Sequence, residues 1–128
     1  MSWSVKYDPA QNIIVEVYRG ITTAEDLRGA IAERIAIEEK TGAKNILVDI
    51  LDIELAANTI EIFSLPNNFY NEVKASLNSR ISLVVPADHR VKEAARFFET
   101  ACVNRGWNVK IFAERKSAIE WLVKKAGA

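Results

Sequence analysis

The chain has 128 residues, 49% of them apolar and 27% charged, which is typical of a globular domain and excludes disordered and fibrous classes. Seventeen Lys and Arg residues balance seventeen Asp and Glu residues, so no net charge favours nucleic acid or an anionic membrane surface as a partner. The single cysteine, Cys102, cannot form an intramolecular disulfide, no stretch reaches the roughly 18 apolar residues of a membrane span, and no secretory signal is recognisable, so we expect one cytoplasmic domain over residues 1–128.

Two strands are predicted from alternating apolar and polar residues over 3–7 and 13–18. Between them, Pro9 fixes φ at a turn position, and Asp8 and Asn12 can bond to local backbone, which predicts an antiparallel hairpin. Gly20 is expected to end the second strand.

A helix is predicted next, because Thr22 and Glu25 have the spacing of a capping box. Arg34 and Glu38 interrupt the flank of its apolar stripe, and Gly42 is expected to end it in a left-handed C-cap. The stripe itself recurs at helical spacing, at Leu27, Ala30, Ile31 and Ile35.

The run from Asn45 to Ile50 is the most apolar β-branched stretch of the chain and organises the rest. It shows little polar alternation, which is typical of a parallel strand covered on both faces. Ligands and partners tend to meet such a sheet at the carboxyl ends of its strands.

In the second half, Asn58 and Glu61 have the spacing of another helix start, and Pro66 predicts a kink or a junction of two helices near Ser64. The apolar stripe of this helix comprises Ile62, Leu65, Phe69, Val73 and Leu77. A fourth strand is predicted over 81–85, and Asp88 is expected to cap a helix that Gly106 ends. A fifth strand around Val109 and a last helix within 114–125 complete the order β-β-α-β-α-β-α-β-α. The predicted fold is α/β, a five-stranded mixed sheet with strand one antiparallel at an edge and strand three inside.

No motif that carries a mechanism is present, so no cofactor and no metal site are predicted. Several acids and the only histidine would gather at the carboxyl ends of the strands, where they either perform acid–base or metal chemistry or serve as helix caps and exposed loop ends. These residues are Asp49, Asp52, Glu54, Asp88, His89 and Glu114.

Cys102 lies on an apolar helical stripe and is expected to be an unreactive core residue. A set of aromatic residues has two readings, either core or the lining of a pocket for a small apolar ligand. The set comprises Phe63, Phe69, Tyr70, Phe97 and Trp121, of which Phe97 and Trp121 are also candidates for a partner patch.

The element order, the strands NILVDI and SRISLVVP, each followed by a helix, and the ending VKIFAERKSAIEWLVKK resemble the STAS domain superfamily. The similar branch contains bacterial proteins related to sporulation anti-sigma-factor antagonists (SpoIIAA-like) and to the CRAL-TRIO lipid-binding domain. The most specific part of the resemblance is Phe112 followed by the segment 118–122, which is similar to the Ala-Leu-x-Trp-Leu ending of that branch.

The resemblance implies a non-enzymatic regulatory module that acts through protein contacts, as a homodimer or with another protein. The family's phosphorylated Asp-Ser-Ser-Gly motif falls on residues 57–60, where the acid, the serine and the glycine are all missing. The resemblance therefore implies the fold without the phosphoswitch, with Asn58, Thr59 and Glu61 as the contact region and Thr59 as an ordinary first-turn residue. The alternative function, implied by the related CRAL-TRIO domains, is binding of a small apolar or lipid-like ligand. An enzyme that uses the acid cluster is the third candidate function.

Overall fold

A computed structural model describes residues 2–69 and 77–124, apart from the Phe63 side chain. The strands are β1 (Trp3–Asp8), β2 (Ile13–Thr22), β3 (Asn45–Leu55), β4 (Arg80–Val84) and β5 (Asn108–Phe112). The α-helices in these residues are α1 (Ala24–Thr41), α2 (Thr59–Ser64), α3 (His89–Asn104) and α4 (Arg115–Val123), and a π-helical turn, Leu65–Phe69, follows α2.

The five strands form one sheet in the order β1-β2-β3-β4-β5. β1 pairs antiparallel with β2 at one edge, and the other three pairings are parallel. β3 is therefore the central strand. Its adjacent residues Ile46 and Leu47 point to opposite faces of the sheet, and both are fully buried. The predicted mixed sheet with a doubly covered third strand is confirmed.

The helices divide unequally between the two faces of the sheet. Ile46 and Val48 share a core cluster with Ile31 of α1 and Val91 of α3, and Leu65 beyond α2 joins it. We call this side the α1 face. On the other side, which we call the α4 face, Ala118 and Leu122 of helix α4 form an apolar cluster with strand residues Ile13, Leu47 and Val84.

β2 and β3 are both longer than predicted, and a bulge interrupts their pairing. Val17 pairs with Asp49 but Arg19 pairs with Asp52, so β3 contains one extra residue at this point. The N–H of Leu51, inside the bulge, donates to Asp49 Oδ1 at 2.9 Å. Beyond the bulge the two strands pair again as far as Thr22 and Leu55.

Two local predictions around the start of α1 are wrong. Gly20 does not end β2: it lies within the strand at φ +69°, and Thr22 is the last strand residue, fully buried. The capping box is formed one residue later, by Thr23 and Asp26, whose side chains bond reciprocally to backbone N–H groups. Thr22 is committed to pairing with Leu55 of β3, which leaves Thr23 as the first residue free to cap the helix.

The other predicted helix signals are confirmed. Gly42 adopts the left-handed conformation at the end of α1, and Asp88 accepts a hydrogen bond from the N–H of Val91 at the start of α3. The interruption expected near Ser64 is also present, since α2 ends there and Pro66 lies in the π-helical turn. Val73, predicted on the same stripe, lies outside the described residues.

Candidate functional site

Three charged side chains are buried together under the α1 face, and we call them the buried charged cluster: Glu16, Arg34 and Glu38. Arg34 Nη1 lies 3.3 Å from Glu16 Oε1, and Arg34 Nε lies 3.6 Å from Glu38 Oε1. The hydroxyl of Tyr18 donates to Glu16 Oε2 at 2.5 Å, and that of Ser79 donates to Glu38 Oε2 at 2.8 Å. Each carboxylate thus has both a cationic and a hydroxyl partner, as buried charges require.

The side-chain periodicities of β2 and α1 explain why the three residues of the buried charged cluster face one another. Glu16 lies between Ile14 and Tyr18 on the side of β2 that faces α1, because residues two apart in a strand share a face. Arg34 and Glu38 are four apart and lie on the helix face that also carries Ile31 and Ile35. From the sequence we interpreted Arg34 and Glu38 as a break in the apolar flank, and we missed their partner Glu16. The i,i+4 spacing of opposite charges inside an apolar stripe was the available signal.

A cavity of about 80 Å³ lies beside the cluster, between the sheet and helices α1 to α3. Glu16, Tyr18 and Arg34 are bonded to one another and form one polar part of its wall, and all three are almost fully buried. The remaining wall is almost entirely apolar, and the cavity is partly open to solvent. The lining residues that are themselves partly exposed mark its mouth: Leu27, Ile53, Leu55, Ala94 and Phe98.

The size of the cavity sets what it can hold. Sites for drug-sized ligands measure about 300–1,000 Å³, whereas one water molecule needs roughly 10–15 Å³ of the space open to a water-sized probe. A cavity of about 80 Å³ is therefore larger than an ordinary packing defect but accommodates only about five to eight non-hydrogen atoms. It has no room for a lipid chain.

Of the five aromatic residues predicted to line a pocket, the three whose side chains the structure describes do not line this cavity. Trp121 lies on the α4 face, against Phe112 at 5.8 Å between ring centroids and with the Arg80 guanidinium 4.3 Å from its ring. Phe97 is exposed on α3, whereas its neighbour Phe98 lines the mouth. Phe69 packs against the core of the α1 face. Tyr70 and the Phe63 side chain lie outside the described residues.

The predicted contact residues lie at the start of α2, at the carboxyl edge of the sheet. Asn58 and Glu61 form a capping box: the Asn58 N–H donates to Glu61 Oε1 at 2.9 Å, and the Glu61 N–H donates to Asn58 Oδ1 at 2.8 Å. Thr59 is exposed beside them. The sequence reasoning missed Ile60, which is 80% exposed, and Ile21 at the end of β2, which is 64% exposed.

The acids proposed as an alternative catalytic centre have structural partners or face solvent. Arg115 binds Asp49 Oδ2 through Nε at 2.9 Å and Nη2 at 2.8 Å, and Asp88 caps α3. Within residues 2–69 and 77–124, no three His, Cys, Asp or Glu side chains are grouped so as to hold a metal ion. The other four residues of the proposed catalytic centre are exposed: Asp52, Glu54, His89 and Glu114.

Cys102 is fully buried on α3, as predicted. Burial raises the pKa of its thiol to about 12, outweighing the opposing charges of Arg34 and Arg105. A thiol with so high a pKa is almost wholly protonated near neutral pH and is a poor nucleophile. No helix in the described part of the chain is both long and apolar enough to cross a membrane.

Comparison with known proteins gives a structural likeness. No protein-family model matches the sequence, and no curated protein matches it. An uncharacterised protein of the DUF3478 family with a SpoIIAA-like fold, from Shewanella loihica, superposes with a TM-score of 0.57 at 14% identity, covering 94% of this chain and 91% of that one.

Two structures of the anti-sigma factor antagonist SpoIIAA are similarly close. The unphosphorylated form superposes with a TM-score of 0.55 at 15% identity, covering 93% of this chain and 96% of that one. The phosphorylated form, from Bacillus, gives 0.54 at 13% identity, with coverages of 93% and 97%. The chain therefore has a SpoIIAA-like fold.

Proposed function

We propose that the chain is a cytoplasmic, non-enzymatic regulatory module, a single domain that acts by binding another protein or a second copy of itself. Its contact surface, in this proposal, lies at the carboxyl edge of the sheet and comprises Ile21, Asn58, Thr59, Ile60 and Glu61. The observation that carries the proposal is the 80% exposure of Ile60 in the first turn of α2. A large aliphatic side chain held in water by a capped helix start favours burial against a partner.

Ile21 supports the same location. Ile21 pairs with Glu54, and the Ala56 N–H donates to the Thr22 carbonyl, so the chain enters α2 directly beside the end of β2. The two exposed isoleucines thus share one edge of the sheet with polar neighbours around them. An apolar centre with a polar rim is the usual anatomy of a protein interface.

The structural relatives agree with a regulatory role, since two of them are forms of an anti-sigma factor antagonist. A phosphoswitch is not part of the proposal, because residues 57–60 read Ala-Asn-Thr-Ile and contain no serine.

The test is recovery of a partner from lysate of the host by the tagged chain and by two variants. Ile60→Asp places a charge in the contact surface, whereas Val103→Asp, on α3, makes the same kind of change at another residue, which is 52% exposed. We expect the native chain and the Val103 variant to recover the same protein and the Ile60 variant to lose it. Recovery by all three contradicts the proposal, and recovery by none excludes a different protein and leaves a second copy of the chain as the partner.

If the partner is a second copy, the same variants separate by mass in sedimentation. A homodimer of standard size buries about 1,200–2,000 Å² in total. We then expect the native chain and Val103→Asp to sediment as dimers and Ile60→Asp as a monomer. A monomeric native chain at high concentration excludes the homodimer.

A second candidate function, binding of a small apolar ligand, is favoured by one observation, the apolar cavity beside the buried charged cluster. The cavity's size restricts this function to compact ligands.

A further inference from the structure

We propose that the cavity of the α1 face is a binding site for a small molecule with a short apolar chain and one hydrogen-donating head, an alcohol or a protonated amine, and that it discriminates against carboxylates. This goes beyond the protein contacts proposed above and does not depend on the contact surface. It deepens the second candidate function by naming the head group and the length of the ligand.

The wall of the cavity selects the body of the ligand. Aliphatic side chains from the strands and helices form nearly all of it, so an apolar group entering the cavity leaves water without losing hydrogen bonds. A volume of about 80 Å³ fits roughly five to eight non-hydrogen atoms, since one water molecule needs about 10–15 Å³ of the same space. A four-carbon chain with one polar atom therefore fits.

The polar part of the cavity wall determines which head group the ligand carries. Glu16 accepts two hydrogen bonds, from Tyr18 and Arg34, whereas an ionised carboxylate can accept about four. A head group that donates a hydrogen bond can thus add to the existing network without displacing a partner. A hydrogen bond to an ionised acceptor is roughly twice as strong as one between neutral groups.

Charge excludes the opposite class of ligand. Glu16 and Arg34 line the cavity with opposite charges, and Glu38, which pairs with Arg34 without lining the cavity, brings the formal charge of the buried charged cluster to −1. An anionic head would be brought toward this excess negative charge in surroundings of low dielectric constant, where repulsion is stronger than in water. Carboxylates of the same chain length should therefore bind much more weakly than alcohols or amines.

The test is a titration of the ¹⁵N-labelled chain with 1-butanol, n-butylamine and butyrate, followed by amide chemical shifts. We expect saturable shifts at Val48 and Ile81, which line the cavity, and affinities for the alcohol and the amine at least about tenfold above that for butyrate. Absence of saturable shifts with both donors, or equal binding of butyrate, overturns the proposal.

Two variants locate the site. Ala94→Leu adds a side chain at the mouth and should abolish binding of all three probes, whereas Ala36→Leu, at an exposed position of α1, should leave binding unchanged. Undiminished binding to Ala94→Leu overturns the location. Glu16→Gln removes the negative charge from the polar part of the cavity wall, and it should remove the preference for 1-butanol and n-butylamine over butyrate. If that variant does not fold, the probe series and Ala94→Leu still decide the proposal.

Discussion

The two faces of the sheet bury their side chains in different ways. In the described part of the chain, one helix covers the α4 face, through a cluster of buried aliphatic residues. Three described helices cover the α1 face, which contains the buried charged cluster and a cavity. The α4 face thus buries aliphatic side chains, whereas the α1 face also buries charged groups and leaves space beside them.

The largest effect is expected from Arg34→Met, which removes the only cation of the buried charged cluster. Glu16 and Glu38 then remain buried without a positive partner. Leaving such charges uncompensated costs about 3–5 kcal/mol, which urea unfolding should detect as a lower midpoint with an unchanged slope. A loss below about 1 kcal/mol would show that water reaches the cluster.

A matched pair of substitutions compares packing on the two faces. Ala118→Leu inserts bulk into the filled cluster of the α4 face, and overpacking there should destabilise the chain by about 1–3 kcal/mol. Ala95→Leu makes the same change at the wall of the cavity, where space is available, and should cost distinctly less. The difference in free energy of unfolding between the two variants is the measurement. Equal costs would mean that the cavity closes in solution.

Arg115→Met is the counterpart of Arg34→Met on the α4 face. Its partner Asp49 is 11% exposed and Arg115 itself 44% exposed, so solvent screens the pair and can replace it. We expect a loss of about 0–1 kcal/mol by the same urea experiment. A loss as large as that of Arg34→Met would remove the distinction between the two ion pairs.

The smallest effect is expected at the rim of the α1 face, from Asp26. Its hydrogen bond from the backbone of Thr23 holds the pKa of this carboxyl below its usual value of 3.8. The unfolded chain then binds more protons as pH falls below that value, so the stabilising contribution is present above pH 3.8 and is lost on acidification. Asp26→Asn should remove this part of the acid dependence, measured as free energy of unfolding against pH. An unchanged profile would assign the effect to other carboxyls.

The fold could be predicted because its signals are local. The unbroken apolar run at β3, the turn at Pro9 and the left-handed cap at Gly42 each specify an element through neighbouring residues. The start of α1 was misplaced because Thr22 and Thr23 both have an acid three residues later, and pairing with β3 decides between them. Long-range pairing of this kind leaves no local trace.

The site was harder to predict, for the same reason. Glu16 and Arg34 are eighteen residues apart, and only the packing of α1 on β2 brings them together. The cavity depends on how the helices of the α1 face fit the sheet, which no spacing in the sequence encodes. The sequence analysis favoured large aromatic residues as the pocket lining, whereas aliphatic residues of β3 and β4 form much of the cavity wall.

The bulge in β3 also determines how the chain tolerates changes in length. Ile46, Val48 and Ile50 have even numbers, whereas Ile53 and Leu55 have odd numbers, and all five point to the α1 face because one extra residue shifts the phase between them. Deleting Leu51 would give a regular strand with this phase preserved. Inserting one more residue beside it would also restore the alternation, but β3 would then contain two extra residues and its pairing with β2 beyond Asp52 would slip by two residues. Homologous chains should therefore vary in length here by loss of the bulge, which keeps that pairing, rather than by single insertions.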